Sequence, residues 1–308
     1  MRLGTVAGMR LTVPPRLRTD LPMLVGGCVA ILLVGVVIGQ LLPAVGTPVP
    51  ADTDPLPVFA DGHVHGATTD DTEPDEDMGG LSLSGGGYTL IAERTRYPID
   101  DAAQTFDFTI RATDSAPVTD FVTIHDRPLH LFVVRRDLTG YQHLHPTLDT
   151  DTGRWHTAIR LDEPGDWRAI ADFTVAAPTP VALTLGVDLT VPGEPRRHEP
   201  PQPAEMITVD GFTVSLETSP VVGVAEPLLV TITRDGAVVD PEPYLGAHGH
   251  LILLRHGDVG FGHAHPDPEP VGDARRYWLT VPSAGHYVGH LDVRIDGRVH
   301  TVRFGLVV

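Results

Sequence analysis

Apolar and polar residues alternate in short runs through most of the chain after residue 87. A period of two predicts strands that bury one face. The runs are rich in Val, Ile, Thr and aromatic residues, and Gly, Pro and Asp turn signals separate them,. In the first half of this region they cover residues 88–94, 106–111, 118–124, 129–135, 141–145, 154–161, 167–175 and 181–189. So many short strands in about 100 residues predict an all-β, immunoglobulin-like β-sandwich, with a small barrel as the alternative.

The pattern repeats at a fixed offset of 120 residues. The stretch HLFVVRRDLTGYQHLHP at residues 130–146 returns as HLILLRHGDVGFGHAHP at residues 250–266. The matched pairs include His130/His250, His143/His263, His145/His265, Gly140/Gly260 and Asp172/Asp292. Self-similarity at a fixed spacing indicates two related domains in tandem. We therefore predict two sandwiches, each carrying the same set of histidines.

The hydropathy changes sharply near the amino terminus. Residues 21–42 carry no charge and are long enough to cross a bilayer as a helix,. Four arginines precede this run, whereas residues 51–80 contain nine acidic residues and no basic one. The positive-inside rule then predicts a single-pass anchor in the cell membrane with the carboxyl-terminal domains outside the cytoplasm. A cleaved signal peptide is the alternative, because Ala44-Val45-Gly46 has the small-residue spacing of a cleavage site.

These signals predict a domain organisation. The segments are a cytoplasmic amino terminus (1–20), a transmembrane helix (21–42), a disordered acidic tether (43–87), the first β-sandwich (88–191), a Pro-rich linker (192–205) and the second β-sandwich (206–308).

The amino-acid composition argues against several partners and kinds of site. The formal net charge of -18 argues against nucleic acid as a partner, because phosphate binding requires clustered basic residues,. The only cysteine, Cys28, lies within the predicted span, so neither sandwich can form a disulfide or a thiolate metal site,. We find no nucleophile elbow, phosphate-binding Gly loop or HExxH motif, and we expect a protein that is not an enzyme.

The repeated histidines are candidate metal ligands. Side chains two positions apart on a strand share a face, so His143 and His145 form one half-site and His263 and His265 another. Imidazole pairs suit Cu(II) or Zn(II), but they need further ligands. The proposed ligands are His130, His143 and His145 in the first domain and His248, His250, His263 and His265 in the second. The predicted cofactor is a divalent metal ion, with copper favoured over zinc, and Asp172 and Asp292 could ligate it or orient an imidazole.

The register of each hairpin decides whether His130 and His250 join the others. A two-residue turn at Gly257-Asp258 places His250 opposite His265, with all three rings on one face. A type I turn ending in a left-handed Gly140 or Gly260 shifts the register by an odd number and moves His130 and His250 to the other face. The shared Gly140/Gly260 slightly favours the second turn.

A second interpretation needs no metal. The histidines could be partly buried packing residues, inherited by duplication in a structural or protein-interaction module with an unknown partner. If the histidines bind metal, replacing the His-x-His pairs lowers the metal content. If they are packing residues, the same replacement alters stability or partner binding and leaves the metal content unchanged.

The stretches VVRRDLTGYQHLHP, PGDWRAIADF and LGAHGHLILLR with HAHP resemble a group of poorly characterised membrane-anchored or secreted tandem-repeat proteins of high-GC Gram-positive bacteria. More remotely, the strand pattern is similar to that of YtkA-like and CopC-like sandwich domains. The resemblance covers roughly residues 85–308. It implies an exported double sandwich with a connection to copper or other heavy metals, and it transfers no ligand residue.

Overall fold

The structure, a computed structural model, describes residues 78–114 and 116–308. The predicted cytoplasmic segment, the predicted membrane helix and the predicted tether up to residue 77 lie outside the described residues. Within the described ranges, no helix has the length and hydropathy needed to cross a membrane. All the described residues belong to one compact unit.

The first repeat folds into ten strands. They are β1 (Ser84–Gly85), β2 (Tyr88–Ala92), β3 (Asp100–Ala112), β4 (Phe121–Val122), β5 (Leu129–Arg135), β6 (Gln142–Leu144), β7 (Thr147–Asp149), β8 (Arg154–Leu161), β9 (Gly165–Val175) and β10 (Val181–Val191). One sheet has the order β1-β2-β3-β8-β7, and the other has the order β10-β9-β5-β6 with β4 on β9. Phe106, Phe108 and Trp155 from the first sheet pack against Leu131 and Ala171 from the second. Two sheets that close over one core make a β-sandwich.

The second repeat folds in the same way. Its strands are β11 (Met206–Val209), β12 (Phe212–Glu217), β13 (Ala225–Arg234), β14 (Ala237–Val238), β15 (His250–Arg255), β16 (Phe261–Ala264), β17 (Arg275–Thr280), β18 (His286–Ile295) and β19 (Arg298–Val307). The sheet β11-β12-β13-β14, with β17 on β13, covers the sheet β16-β15-β18-β19. The described residues are therefore all-β, as predicted.

A third core joins the two sandwiches. Its buried members come from both repeats: Phe132, Val134, Leu138, Ile170, Ile252, Leu254, Val259, Phe261 and Val288. On β5, Leu131 and Val133 face the core of the first sandwich, whereas Phe132 and Val134 face the second repeat,. All seven residues of β5 are buried for this reason. The sandwiches thus pack through the sheets that carry the repeated histidines.

The segment before Tyr88 is part of this packed structure. Met78 is only 8% exposed and packs beside Leu253 and Tyr287. The Gly79 N–H donates to the carbonyl oxygen of Phe261 at 3.0 Å, and the Gly80 N–H donates to that of Thr184 at 3.0 Å. The tether prediction is therefore wrong for residues 78–87, which connect the two repeats because both offer main-chain acceptors.

The Pro-rich segment 192–205 contains no strand, as its composition predicts,. It nevertheless lies against the first sandwich. The Arg135 guanidinium donates to the carbonyl oxygen of Arg196, and the His198 N–H donates to an Asp137 carboxylate oxygen at 3.1 Å. The segment follows a packed path between the two repeats.

Candidate metal centre

The hairpins of both repeats have the even register. Phe132 pairs with His143 between β5 and β6, and Ile252 pairs with His263 between β15 and β16. Two positions further in the same register, His130 lies opposite His145 and His250 lies opposite His265. The odd-register alternative is therefore wrong: Gly140 is left-handed with φ 64°, but Gly260 has no positive φ. Residues 136–141 connect β5 to β6 and residues 256–260 connect β15 to β16, and this register keeps the three histidines of each repeat on one face.

Each repeat consequently brings three imidazoles together. Within each triad, one ring nitrogen from each histidine lies within 4.8 Å of the others, and the triads are His130, His143 and His145, and His250, His263 and His265. We call these the first triad and the second triad. Their ring centroids are 4.8–5.4 Å apart in the first and 4.3–5.8 Å apart in the second. Metal–nitrogen bonds of about 2.0–2.1 Å place imidazoles sharing one ion roughly 5 Å apart between ring centres. Either triad could hold a metal ion after small adjustments.

The repeat-matched His130 and His250 are held by main-chain carbonyls. The His130 Nε2–H donates to the Ile124 oxygen at 3.2 Å, and the His250 Nε2–H donates to the Tyr244 oxygen at 2.9 Å. A carbonyl oxygen only accepts, so Nε2 carries the proton in both rings. When each ring is neutral, its Nδ1 therefore keeps a lone pair that can bind a metal.

Carboxylates hold His143 and His263, and each carboxylate comes from the opposite repeat. The His143 Nδ1–H donates to Asp292 at 2.9 Å, and the His263 Nδ1–H donates to Asp172 at 3.0 Å. The Thr301 hydroxyl donates to the second oxygen of Asp292 at 2.5 Å, and the Thr184 hydroxyl does the same for Asp172 at 3.0 Å. Carboxylate–histidine pairs of this kind orient metal ligands and make the imidazole more basic. Each repeat therefore supplies its own three imidazoles, but the carboxylate that orients one of them comes from the other repeat.

These bonds leave two acceptors facing each other. The Nδ1 atom of His130 lies 3.1 Å from the Nε2 atom of His143. Because the other nitrogen of each ring already donates, both facing atoms carry lone pairs when the rings are neutral. Within the described part of the chain, buried His145 Nε2 and buried His250 Nδ1 make no hydrogen bond. A cation between the rings would satisfy these atoms, because a metal ion accepts several lone pairs at once.

Burial keeps three of the triad imidazoles uncharged at neutral pH, because it lowers the pKa of each ring. It lowers the pKa of His130 to about 3, with repulsion from His143 adding to the effect. Burial likewise lowers the pKa of His250 to about 3, and burial with repulsion from His143 lowers that of His145 to about 3. A metal must displace a proton from an imidazolium but not from a neutral ring, so these values favour metal binding at neutral pH.

Acid should destabilise the metal-free protein. Burial also lowers the pKa of His290, whose ring stacks on Tyr141 outside the triads, to about 3. In the unfolded chain these groups titrate near pH 6.5, so between about pH 6.5 and 3 the unfolded state binds more protons. Each of His130, His250 and His290 then adds a slope of about 1.4 kcal/mol per pH unit, and stability falls as the pH falls. Urea unfolding between pH 7 and pH 4 measures this loss. A His290→Phe variant should show a shallower decline than the unaltered chain, and an equal decline would contradict the assignment.

The structure does not bring His248 to either triad. Its Nδ1 lies 2.6 Å from the carbonyl oxygen of Pro241 and 3.3 Å from an Arg275 nitrogen. Gly249, with φ 140°, turns the chain between His248 and His250, so the two side chains do not share a strand face. The prediction of His248 as a ligand, which rested on His-x-His spacing in an extended strand, is wrong for this geometry.

Contact between the triads was not predicted. The His130 and His250 ring centroids are 6.3 Å apart, and those of His143 and His250 are 6.1 Å apart. The ring centroid of His125, which lies in the loop before β5, is 3.8 Å from that of His265. One sequence signal could have revealed the interface: residues 131–134, LFVV, are apolar at four successive positions, which is typical of a strand buried on both faces,.

Fold and site together define an all-β double sandwich whose repeats share a buried cluster of two histidine triads. The chain belongs to a family known as a domain of unknown function (DUF8832), whose model matches residues 84–188 and 207–308. The two matches confirm the internal repeat. A search of curated proteins finds no match.

Solved structures show remote likenesses. The adhesin InvE of Yersinia pseudotuberculosis is 10% identical, with a TM-score of 0.21, over 74% of this chain and 60% of the adhesin. A putative membrane-anchored protein from Corynebacterium diphtheriae is 11% identical, with a TM-score of 0.22, over 73% of this chain and 59% of that protein. This chain thus spans about 60% of the length of these proteins. These likenesses are too remote to indicate a function. The resemblance to immunoglobulin-like, YtkA-like and CopC-like domains therefore stays a prediction from the sequence.

Proposed function

We propose that the protein binds two divalent transition-metal ions, one at each triad. The observation that carries this proposal is the way the ring protons are fixed. A carbonyl or carboxylate holds the N–H of four of the six triad histidines: His130, His143, His250 and His263. In the first triad the remaining nitrogens of His130 and His143 face each other at 3.1 Å, and in each triad the three histidines offer ring nitrogens within 4.8 Å of one another. Packing alone requires no such convergence of lone pairs, whereas a metal site does.

The donor set favours copper. Three neutral imidazoles suit both Cu(II) and Zn(II), and for a given nitrogen site Cu(II) binds more tightly than the other divalent metals of the first row. With Cys28 as the only cysteine, thiolate cannot contribute in either sandwich. The predicted anchor would place both sites on the outer side of the cell membrane. The role we propose is metal buffering or delivery without catalytic turnover.

Metal titration of the purified full-length chain tests this function. We expect two equivalents of Cu(II), and of Zn(II) with lower affinity, measured by calorimetry and by metal analysis after dialysis. The His143→Ala/His145→Ala variant should retain one equivalent, as should His263→Ala/His265→Ala, because each pair removes two of three ligands. Removing all four histidines should abolish tight binding.

A His156→Ala/His286→Ala variant is the matched control, because it removes two exposed histidines that lie outside the triads. It should still bind two ions. Thermal unfolding of the metal-free variants shows whether each remains folded. Binding that is no tighter in the unaltered chain than in the four-histidine variant would refute the proposal.

A structural or protein-interaction module is the second candidate. The observation in its favour is that both triads lie in the packed interface, where His143 stacks on Phe132 with ring centroids 4.5 Å apart. On that interpretation the His-x-His variants lose stability and leave metal content unchanged. The same titrations therefore separate the two functions.

A further inference from the structure

One position breaks the symmetry of the two triads. His125 and Leu245 are 120 residues apart and occupy equivalent loops, before β5 and before β15. Both have left-handed backbone conformations, with φ 49° and φ 52°. Each follows the residue whose carbonyl holds a triad histidine, Ile124 or Tyr244. The loops are therefore equivalent in geometry but differ in chemistry, since leucine offers no ligand atom.

The imidazole of His125 reaches the second triad. Its ring centroid lies 3.8 Å from that of His265, 5.4 Å from that of His250 and 6.3 Å from that of His263. The separation from His250 is close to the roughly 5 Å expected for imidazoles sharing one ion, whereas His125 lies closer than that to His265 and further than that from His263,. His125 is not one of the three residues whose ligand atoms already converge, so its ring must move away from His265 to join them as a fourth ligand. Four imidazoles fill a tetrahedral coordination sphere.

The first triad instead borders a groove. The groove has a volume of about 730 Å³, and its lining includes His143, His145, Arg127, Pro128 and Thr147. Arg127 is exposed and supplies positive charge at this wall. A three-histidine site that keeps one open position can accept an external ligand there. The charge of Arg127 favours a small anion.

We propose, building on the two-ion function above, that the two sites differ in coordination and access. His125 is the fourth imidazole of the second site, which is thereby closed to external ligands. The first site has three imidazoles and an open position that faces the groove, where a small anion binds the metal. The first ion exchanges readily, and the second is retained.

Single-site variants of the full-length chain test this difference with azide as the probe. His263→Ala/His265→Ala keeps the first site, and His143→Ala/His145→Ala keeps the second. After loading with Cu(II), we expect an azide-to-copper charge-transfer band only from the first site. Release of copper to a chelator should be at least about tenfold slower from the second site, in line with the effect of losing a supporting ligand.

Exchanging the two symmetry-related residues supplies the matched controls. His125→Leu in the variant that keeps the second site should create an azide band and speed copper release. Leu245→His in the variant that keeps the first site should weaken the azide band and slow copper release. Each replacement residue already occupies the same left-handed conformation in the other repeat, so both variants should fold. Equal azide bands from the two sites, or a second site that stays inert to azide after His125→Leu, would overturn this inference while leaving two-ion binding intact. Failure of both single-site variants to bind copper would refute the two-ion function itself.

Discussion

Replacing Asp292 by Asn should weaken metal binding at the first triad by about 10- to 100-fold, although Asp292 lies in the second repeat. The Asp292 carboxylate accepts the Nδ1 proton of His143 at 2.9 Å, and both side chains are almost fully buried. An amide at this position can donate its own N–H to Nδ1, which moves the imidazole proton to Nε2. That proton would block the nitrogen directed at the metal.

Copper titrations of Asp292→Asn in the His263→Ala/His265→Ala background measure the effect at the first site alone. The mirror variant, Asp172→Asn in the His143→Ala/His145→Ala background, should weaken the second site by a similar factor. In the exchanged backgrounds, where only the triad of its own repeat remains, each substitution should have little effect on copper affinity. If each substitution instead lowers copper affinity only at the triad of its own repeat, the carboxylates act within their own sandwiches and the crossed arrangement is refuted.

Truncating Phe132 to Ala should destabilise the metal-free protein by about 3–5 kcal/mol, the usual cost of removing a buried aromatic ring. Phe132 is fully buried between the sandwiches, and its ring lies 4.9 Å from that of Phe261 and 4.5 Å from that of His143. A cavity here would loosen the contact between the repeats and let His143 move. We therefore expect the affinity of both metal sites to fall with the stability, as measured by urea unfolding and copper titration.

Phe106→Ala is the matched control, because Phe106 is equally buried but belongs to the core of the first sandwich. It should cost a similar free energy of unfolding and leave metal affinity nearly unchanged at temperatures where the protein is folded. An effect of Phe132→Ala below about 1 kcal/mol would contradict the packed interface. Equal losses of affinity in the two variants would contradict its link to the metal sites.

Most of the fold could be predicted from local pattern. The predicted strand 129–135 matches β5 (Leu129–Arg135), and the predicted strand 154–161 matches β8 (Arg154–Leu161). Alternation and turn residues act over a few positions, so they are visible in the sequence. The prediction failed where pairing is non-local. The strand expected at 118–124 shortens to Phe121–Val122, and residues 78–87 join the packed structure through acceptors far along the chain.

The site was predicted in part. Six of the seven proposed ligands form the two triads, because the offset of 120 residues and the His-x-His spacing are both sequence properties. His248 was predicted in error, since spacing alone does not reveal the turn at Gly249. Asp172 and Asp292 were expected to ligate the metal or orient an imidazole, and they hydrogen-bond to His263 and His143 of the opposite repeat.

The sequence by itself determined the all-β class, the duplication and the six histidines, because periodicity and self-similarity depend only on the order of residues in the chain. Only the tertiary structure decided that HLFVVRRDLTGYQHLHP and its copy face each other. Two short connections set an even register, which turned His130 and His250 to the same face as their partners. The apolar residues on that face then buried it against the other sandwich, which brought each carboxylate to the opposite triad. Contacts of this kind depend on how the surfaces of two folded sandwiches complement each other, and a local sequence pattern does not predict that complementarity.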